Sequence, residues 1–246
     1  MAEEQKKLLL LFDFDNTITD GTSTYILRKE FLTDEEFRIN KLLHDTDNDW
    51  IKYDNDYLKL FKQHGVTFEK MEKVLDEKVK LTEGMQNLFD FIKENKVKFD
   101  LVLLTSTFEY VIHYLLKHFK IFDLFTELYC EKSEMGKPGD DQLIYIVKRK
   151  EHNCKDCGPS SCKNSNFEEF CENHDMNQYS KILFVCDGKN DLCLAKHLKK
   201  NDAVFVRKGY SLHEHLFNKG NRNDISGEVI EWSSAEEIVE YLKKII

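Results

Sequence analysis

Proline and glycine are sparse. Two prolines, Pro138 and Pro159, and ten scattered glycines exclude collagen-like and proline-rich architectures. No apolar run approaches the roughly 18 residues of a membrane-crossing helix, so no membrane span or membrane partner is expected. An excess of basic charge is also missing. The 36 Lys and Arg are outnumbered by 45 Asp and Glu, for a formal net charge of -9 with His neutral. Nucleic acids and anionic membrane surfaces attract clustered cations, so neither is an expected partner. A small anion held at a locally basic site remains compatible with this balance. No secretory leader is expected either, because Met1–Lys7 carries charges of both signs and the apolar run Leu8–Phe12 stops at Asp13. The seven cysteines, an odd number, then read as reduced thiols of a cytoplasmic protein rather than a disulfide framework. What is present, 41% hydrophobic and 33% charged residues over 246 positions, suits a globular chain with one large domain, or a core with a smaller insertion.

Short apolar runs alternate with amphipathic stretches. Leu8–Phe12, Leu101–Leu104, Ile182–Val185 and Ala203–Val206 have strand length and no polar face, which predicts strands covered on both sides. Residues 83–95, 108–119 and 167–173 read as helices. So does the C-terminal stretch, where Glu236 and Glu237 follow Ser233 and Ser234 at capping-box spacing. This alternation predicts an α/β fold, a Rossmann-like three-layer sandwich with a mostly parallel sheet. Residues 22–80 break the rhythm: they read as helical, and they are far longer than a crossover needs. We therefore expect an inserted all-helical cap over 22–80 and a core made of 1–21 and 81–246. The stretch Cys130–Cys162, which holds both prolines, reads as irregular.

Three of the predicted strands end in chemistry. Asp13-Phe14-Asp15-Asn16-Thr17 follows the first run, so two carboxylates stand where a strand stops. In open parallel sheets that is where ligands bind. Asp-rich turns also follow strands merely to cap helices or face water, so the spacing alone leaves both readings open. The run ending at Cys186 is followed by Asp187-Gly188-Lys189-Asn190-Asp191, a second acidic strand end. Together the two suggest a hard-cation site of oxygen ligands, suited to Mg²⁺. Thr105-Ser106-Thr107 closes a third strand with hydroxyls and backbone N–H groups, a cradle for an anion or an ordinary helix cap.

Together these strand ends resemble the haloacid dehalogenase superfamily of phosphohydrolases. Asp13–Thr17 is similar to its D-x-D-x-T motif, Thr105 to its second-motif hydroxyl, and Asp187–Asp191 to G-D-x-x-x-D with Cys186 in place of the usual Gly. The run His152-x-Cys154-x-x-Cys157-x-x-x-x-Cys162-Lys163 and Arg207-Lys208-Gly209-Tyr210 look like the phosphoethanolamine/phosphocholine phosphatase subfamily, which includes pyridoxal phosphate phosphatases. The resemblance implies a Mg²⁺-dependent phosphomonoesterase acting on a small phosphorylated metabolite. Asp13 would be the nucleophile, Asp15 the general acid and then base, and Thr17 the holder of the motif turn. Thr105, with Ser106, Asn190 and a Lys, would bind phosphate. Asp13, Asp15, Asp187 and Asp191 would serve the metal. Lys163, 24 residues before Asp187, is the implied Lys, with Lys132 and Lys137 as rivals. Subfamily members acting on choline or ethanolamine phosphates carry acids near the cationic group. Here Asp20 is retained, but Thr24 and Ser106 stand at the other two places, which implies weak activity on phosphocholine.

The implied substrate is of phosphoethanolamine type, with pyridoxal phosphate as the alternative. A phosphotransferase or mutase would use the same motifs, and a non-catalytic binding protein would not need all four acids intact. His152, Cys154, Cys157 and Cys162 could hold a structural Zn²⁺. A loop of reduced thiols fits better, because zinc sites usually pair two separated knuckles. Cys130, Cys171, Cys186 and Cys193 read as small core or surface residues.

Overall fold

A continuous apolar run belongs at the centre of a sheet, and β1 (Lys7–Phe12) lies there, between β2 (Phe99–Phe108) and β5 (Tyr179–Cys186). Outside β2 lie β3 (Phe125–Met135) and then β4 (Ile144–Val147). Outside β5 lie β6 (Ala203–Arg207) and β7 (Glu228–Trp232). The order of the seven strands is β4-β3-β2-β1-β5-β6-β7, and every neighbouring pair is parallel except β3 with β4. The computed structural model describes residues 6–47 and 49–246. The first five residues of the expected core segment and position 48 of the expected insertion lie outside the described residues.

Four helices fill the stretch without predicted strands: α1 (Ser23–Phe31), α2 (Asp34–Asp47), α3 (Trp50–Gln63) and α4 (Phe68–Lys78). The rest are α5 (Met85–Glu94), α6 (Glu109–His118), α7 (Lys163–Asn173), the short α8 (Leu192–Ala195) and α9 (Ser211–His213), and α10 (Glu236–Ile245). Successive residues of a strand point to opposite faces, and β1 divides the core accordingly. Leu8, Leu10 and Phe12 pack with α5, α6 and α10, whereas Leu9 and Leu11 pack with α7 and α8. Each fully buried Leu side chain contributes roughly 1.5–3 kcal/mol, so the unbroken run fixes β1 in the middle layer.

The chain leaves and re-enters the sheet layer at adjacent points. Thr19 bridges Leu81, the Asp20 amide donates to the Lys80 carbonyl, and the Thr82 amide donates to Ile18. Between these crossings α1–α4 sit over the carboxyl ends of the strands. Asn55 of α3 exchanges hydrogen bonds with the Ile146 backbone, and Tyr110 and Tyr114 of α6 donate to Glu72 and Asp76 of α4. At α10 the N-cap is Ala235 rather than a serine, and the capping box is not formed: Ser234 Oγ accepts from the Glu236 amide and Glu237 accepts from the Ser233 amide, two bonds between different residue pairs.

β3 and β7 escape the search for continuous apolar runs because both mix charged with apolar residues, as in Glu228-Val229-Ile230-Glu231-Trp232 at the sheet edge. The stretch Cys130–Cys162 is not wholly irregular, since the end of β3 and all of β4 form an antiparallel pair there.

Candidate active site

The strand order reverses at β1, where β2 lies on one side and β5 on the other, and the carboxyl ends there frame a crevice. Asp13 continues β1 by one residue, its amide donating to the Val185 carbonyl of β5 at 3.0 Å. The chain then turns through Asn16, whose φ of 56° lies in the left-handed region that Asn tolerates. The Asn16 amide side chain donates to Thr22 Oγ1, which ties the turn to the start of α1. Asp13 and Asp15 consequently face one cavity of 430 Å³, lined also by Thr22, Thr24, Trp50, Asp54, Thr105, Ser106, Thr107, Asp187 and Asn190. An adjoining cavity of 560 Å³ shares Trp50, Ser106, Lys189 and Asn190 with it, so the two are lobes of one cleft.

Lys163, at the first turn of α7, reaches this crevice. Its Nζ lies 2.7 Å from Asp13 Oδ1 and also binds Asp191. Burial alone would lower its pKa, but the Asp13 and Asp191 carboxylates outweigh burial and push it up, so the ammonium is held charged. The rivals Lys132 and Lys137 are exposed, whereas Lys163 is buried against Asp13. Asp191 is fully buried, and its other oxygen accepts from the Gly188 and Asp187 amides at 2.8 and 3.3 Å. It thus shapes the loop that carries Asp187. Thr17 acts likewise, its hydroxyl 3.4 Å from Asp187 Oδ1.

Asp13, Asp187 and Asp191 place carboxylate oxygens within 4.8 Å of one another. Burial, followed by the charges of Asp13 and Asp191, pushes the Asp187 carboxyl up to about 9. A donor set that resists ionisation without a counter-charge suits a hard dication, and the residues present fit Mg²⁺. Asp15 is different. Its carboxylate accepts from the Ser23 amide at 2.8 Å and from the Thr107 hydroxyl at 2.7 Å, but burial dominates and raises its pKa. Burial that favours the protonated form of a carboxyl suits it to general acid work.

Thr105 lies within a strand rather than beyond it, because β2 runs on to Phe108. Leu104 pairs with Tyr129 and Phe108 with Glu131, so residues 105–107 bulge out of the ladder and turn toward the cleft. Phe108 caps α6 without a side-chain bond, and Thr105 Oγ1 instead accepts from the Thr107 amide. Asp20 is displaced from its expected role. It is bound by Arg207 Nη2 at 2.9 Å, while Nη1 donates to the Asn16 carbonyl, so Asp20 braces the motif turn from outside the cavity. The room left at Gly188 is taken by the Asn190 side chain, not by a ligand: a Cβ there would stand 2.1 Å from Asn190 Oδ1. Cys186, where Gly is usual, points into the core layer under α7 and α8 and leaves the crevice open.

Two cavity residues, Thr107 and Asp54, and the buried partner of Asp54, Arg28, take roles that the sequence pattern did not assign. Thr107 orients Asp15. Asp54 and Arg28, from α3 and α1, form a buried pair at 3.8 Å, and the Arg28 guanidinium lies over the Tyr53 and Tyr57 rings. Burial pushes the Asp54 carboxyl up to about 7 despite that guanidinium. Of the cysteines, the structure gathers Cys154, Cys157 and Cys162 but excludes His152, whose ring nitrogens are buried without a partner. The fourth member is Cys193, a buried core residue as expected, whose sulfur lies beside the other three.

Residues 8–246 match the family described as "Putative Phosphatase". A pyridoxal phosphate phosphatase of Bos taurus is 31% identical over 98% of this chain and 99% of its own length. A phosphoethanolamine/phosphocholine phosphatase of Gallus gallus is 26% identical over 98% of this chain and 89% of its own. In fold, the chain is similar to a substrate-bound phosphoserine phosphatase, with a TM-score of 0.60 and 16% identity over 97% of this chain and 99% of that one.

Proposed function

The chain belongs to the haloacid dehalogenase phosphatases, and on this basis we propose a Mg²⁺-dependent phosphomonoesterase that works through an aspartyl-phosphate on Asp13. The observation that carries the mechanism is the setting of Asp13: a buried carboxylate at the cleft floor, in contact with the Lys163 ammonium and with Asp15 in the same cavity. The Asp13 oxygen attacks phosphorus and the bond to the leaving oxygen breaks. Asp15 delivers its proton to that oxygen, then takes a proton from water as the water attacks the aspartyl-phosphate and frees inorganic phosphate. Thr105 and Lys163 hold the phosphoryl oxygens, and Asn190 lines the same wall. A Mg²⁺ held by Asp13, Asp187 and the Asp15 carbonyl would offset the charge of phosphate facing carboxylate.

Helices α1–α4 act as a cap in this proposal, with 22–80 as the inserted domain and 1–21 plus 81–246 as the core. They supply Trp50 and Asp54 to the cleft and exclude water from it. The Ser23 amide that binds Asp15 comes from the first turn of α1, so seating of the cap also orients the acid.

Two substrates fit the relatives, a phosphoethanolamine-type ester and pyridoxal phosphate. The rim of the cleft favours pyridoxal phosphate. It offers hydroxyls at Thr22, Thr24 and Ser106 and the Trp50 ring, and its one cap acid, Asp54, is already paired with Arg28. A cationic head group would find no unpaired carboxylate at Thr24 or Ser106. The seven cysteines are all free, which supports a reducing, cytoplasmic setting, and no described helix is long and apolar enough to cross a membrane.

A phosphate-release screen with Mg²⁺ tests the proposal, using pyridoxal phosphate, phosphoethanolamine and phosphocholine. Pyridoxal phosphate should be turned over fastest and phosphocholine poorly. Asp13→Asn and EDTA should each abolish release, and full activity in either case would refute the mechanism.

A further inference from the structure

The four gathered thiols come from two separate parts of the chain. Cys154, Cys157 and Cys162 lie in the loop between β4 and α7, and Cys193 lies in α8. Their sulfur atoms all fall within 4.8 Å of one another, and the Cys162 and Cys193 sulfurs stand 4.0 Å apart. Four thiolates around a tetrahedral zinc, each at about 2.3 Å, are separated by about 3.8 Å. No pair has formed a disulfide, and all four thiols are free. The set has a supporting contact as well, since the Ser165 amide donates to Cys162 Sγ at 3.4 Å, as outer partners of zinc ligands do. Cys193 also supplies what the loop alone lacks, a ligand remote in sequence from the C-x-x-C pair.

We propose that Cys154, Cys157, Cys162 and Cys193 bind one structural Zn²⁺, a site distinct from the carboxylate cluster and independent of the phosphatase reading. Its position explains its use. Cys162 caps the helix that begins with Lys163, and Cys193 lies two residues after Asp191, the two partners of the buried ion pair. The loop between Cys157 and Cys162 walls the second lobe of the cleft, and its Ser160 accepts from the Trp50 amide of α3 at 2.7 Å. A zinc here would lock one loop, two core elements and a cap helix in register. With four protein ligands the coordination is closed, so the ion is structural and carries no reacting group.

Elemental analysis of the full chain, purified without chelator or added zinc, should find roughly one zinc per chain. Zinc should fall to near zero in Cys157→Ser and stay unchanged in Cys171→Ser, which lies outside the cluster. Cobalt substituted into the wild-type protein should give the intense charge-transfer and ligand-field bands of a tetrahedral thiolate site, a readout that needs no variant to fold. Zinc removal should lower the melting temperature, and zinc but not Mg²⁺ should restore it. Zinc absent from the purified protein and not taken up on titration would overturn the proposal. So would a disulfide within the four in non-reducing peptide maps of zinc-free, folded protein.

Discussion

Lys163→Met puts the charge arrangement of the cleft under direct test. The ammonium is only 3% exposed, lies 2.7 Å from Asp13 and also contacts Asp191. At an effective dielectric near 20, one unit pair at that distance carries roughly 6 kcal/mol of Coulomb attraction, part of which only offsets desolvation. Removal leaves Asp13, Asp187 and Asp191 clustered without their cation. Breaking a buried pair in this way costs roughly 3–5 kcal/mol. For a chain of 246 residues, at roughly 2–4 °C per kcal/mol, the melting temperature should drop by roughly 6–20 °C. Phosphate release should fall by roughly 10²–10³, the loss seen when a donor aimed at developing charge is removed. Two signatures separate this from general damage. Mg²⁺ should raise the variant's melting temperature more than the wild type's, because it replaces the missing charge. The double variant Asp13→Asn/Lys163→Met should regain part of the lost stability, because the pair is then neutral on both sides. A Lys163→Met protein with wild-type melting and a rate within about threefold would refute the reasoning, since less than about 1 kcal/mol would then rest on the contact.

Asp15→Asn should reduce release from an alkyl phosphate by roughly 10²–10⁴, yet reduce release from p-nitrophenyl phosphate far less, because that leaving group needs no proton. Equal losses on both substrates would show that Asp15 acts by position alone. Asp54 gives a pH dependence: its folded carboxyl holds a proton up to about pH 7, against an ordinary value of 3.8. The folded state therefore binds more protons between those values, and the contribution to stability, full below about 4, is lost as pH rises through 7. Denaturant unfolding of Asp54→Asn should show a flatter pH profile, differing from wild type by up to about 4 kcal/mol across that window. Parallel profiles would remove Asp54 as the titrating group. Ser106→Asp should raise turnover of phosphocholine relative to pyridoxal phosphate, and an unchanged ratio in paired rate measurements would place the head group elsewhere.

What was legible in the sequence follows from how each feature is encoded. β1, β2, β5 and β6 announce themselves because strands covered on both faces must be apolar throughout, and the carboxylates at their ends interrupt that run at fixed places. Asp13, Asp15 and Asp187 were thus readable at two strand ends, and Thr105 where the third apolar run stops, inside β2. Features set by the meeting of distant segments were not. Thr107 reaches Asp15 only because β2 bulges between Leu104 and Phe108, a register change that no local pattern records. Asp20 reads as a retained acid for a cationic head group, but Arg207, at the far end of β6, binds it instead. The buried pair of Arg28 and Asp54 links two helices whose amphipathic pattern gives no sign of a charge facing inward.

The cysteine cluster combines both limits. Its first three members share one loop and invite a local fourth, so His152 was the natural choice from spacing alone. Tertiary structure selects Cys193 instead, because α7 and α8 pack on the same face of the sheet. The same packing presses Lys163 against Asp191. The fourth thiol and the buried ion pair therefore follow from a single helix contact, and a substitution that separates α7 from α8 should loosen both together.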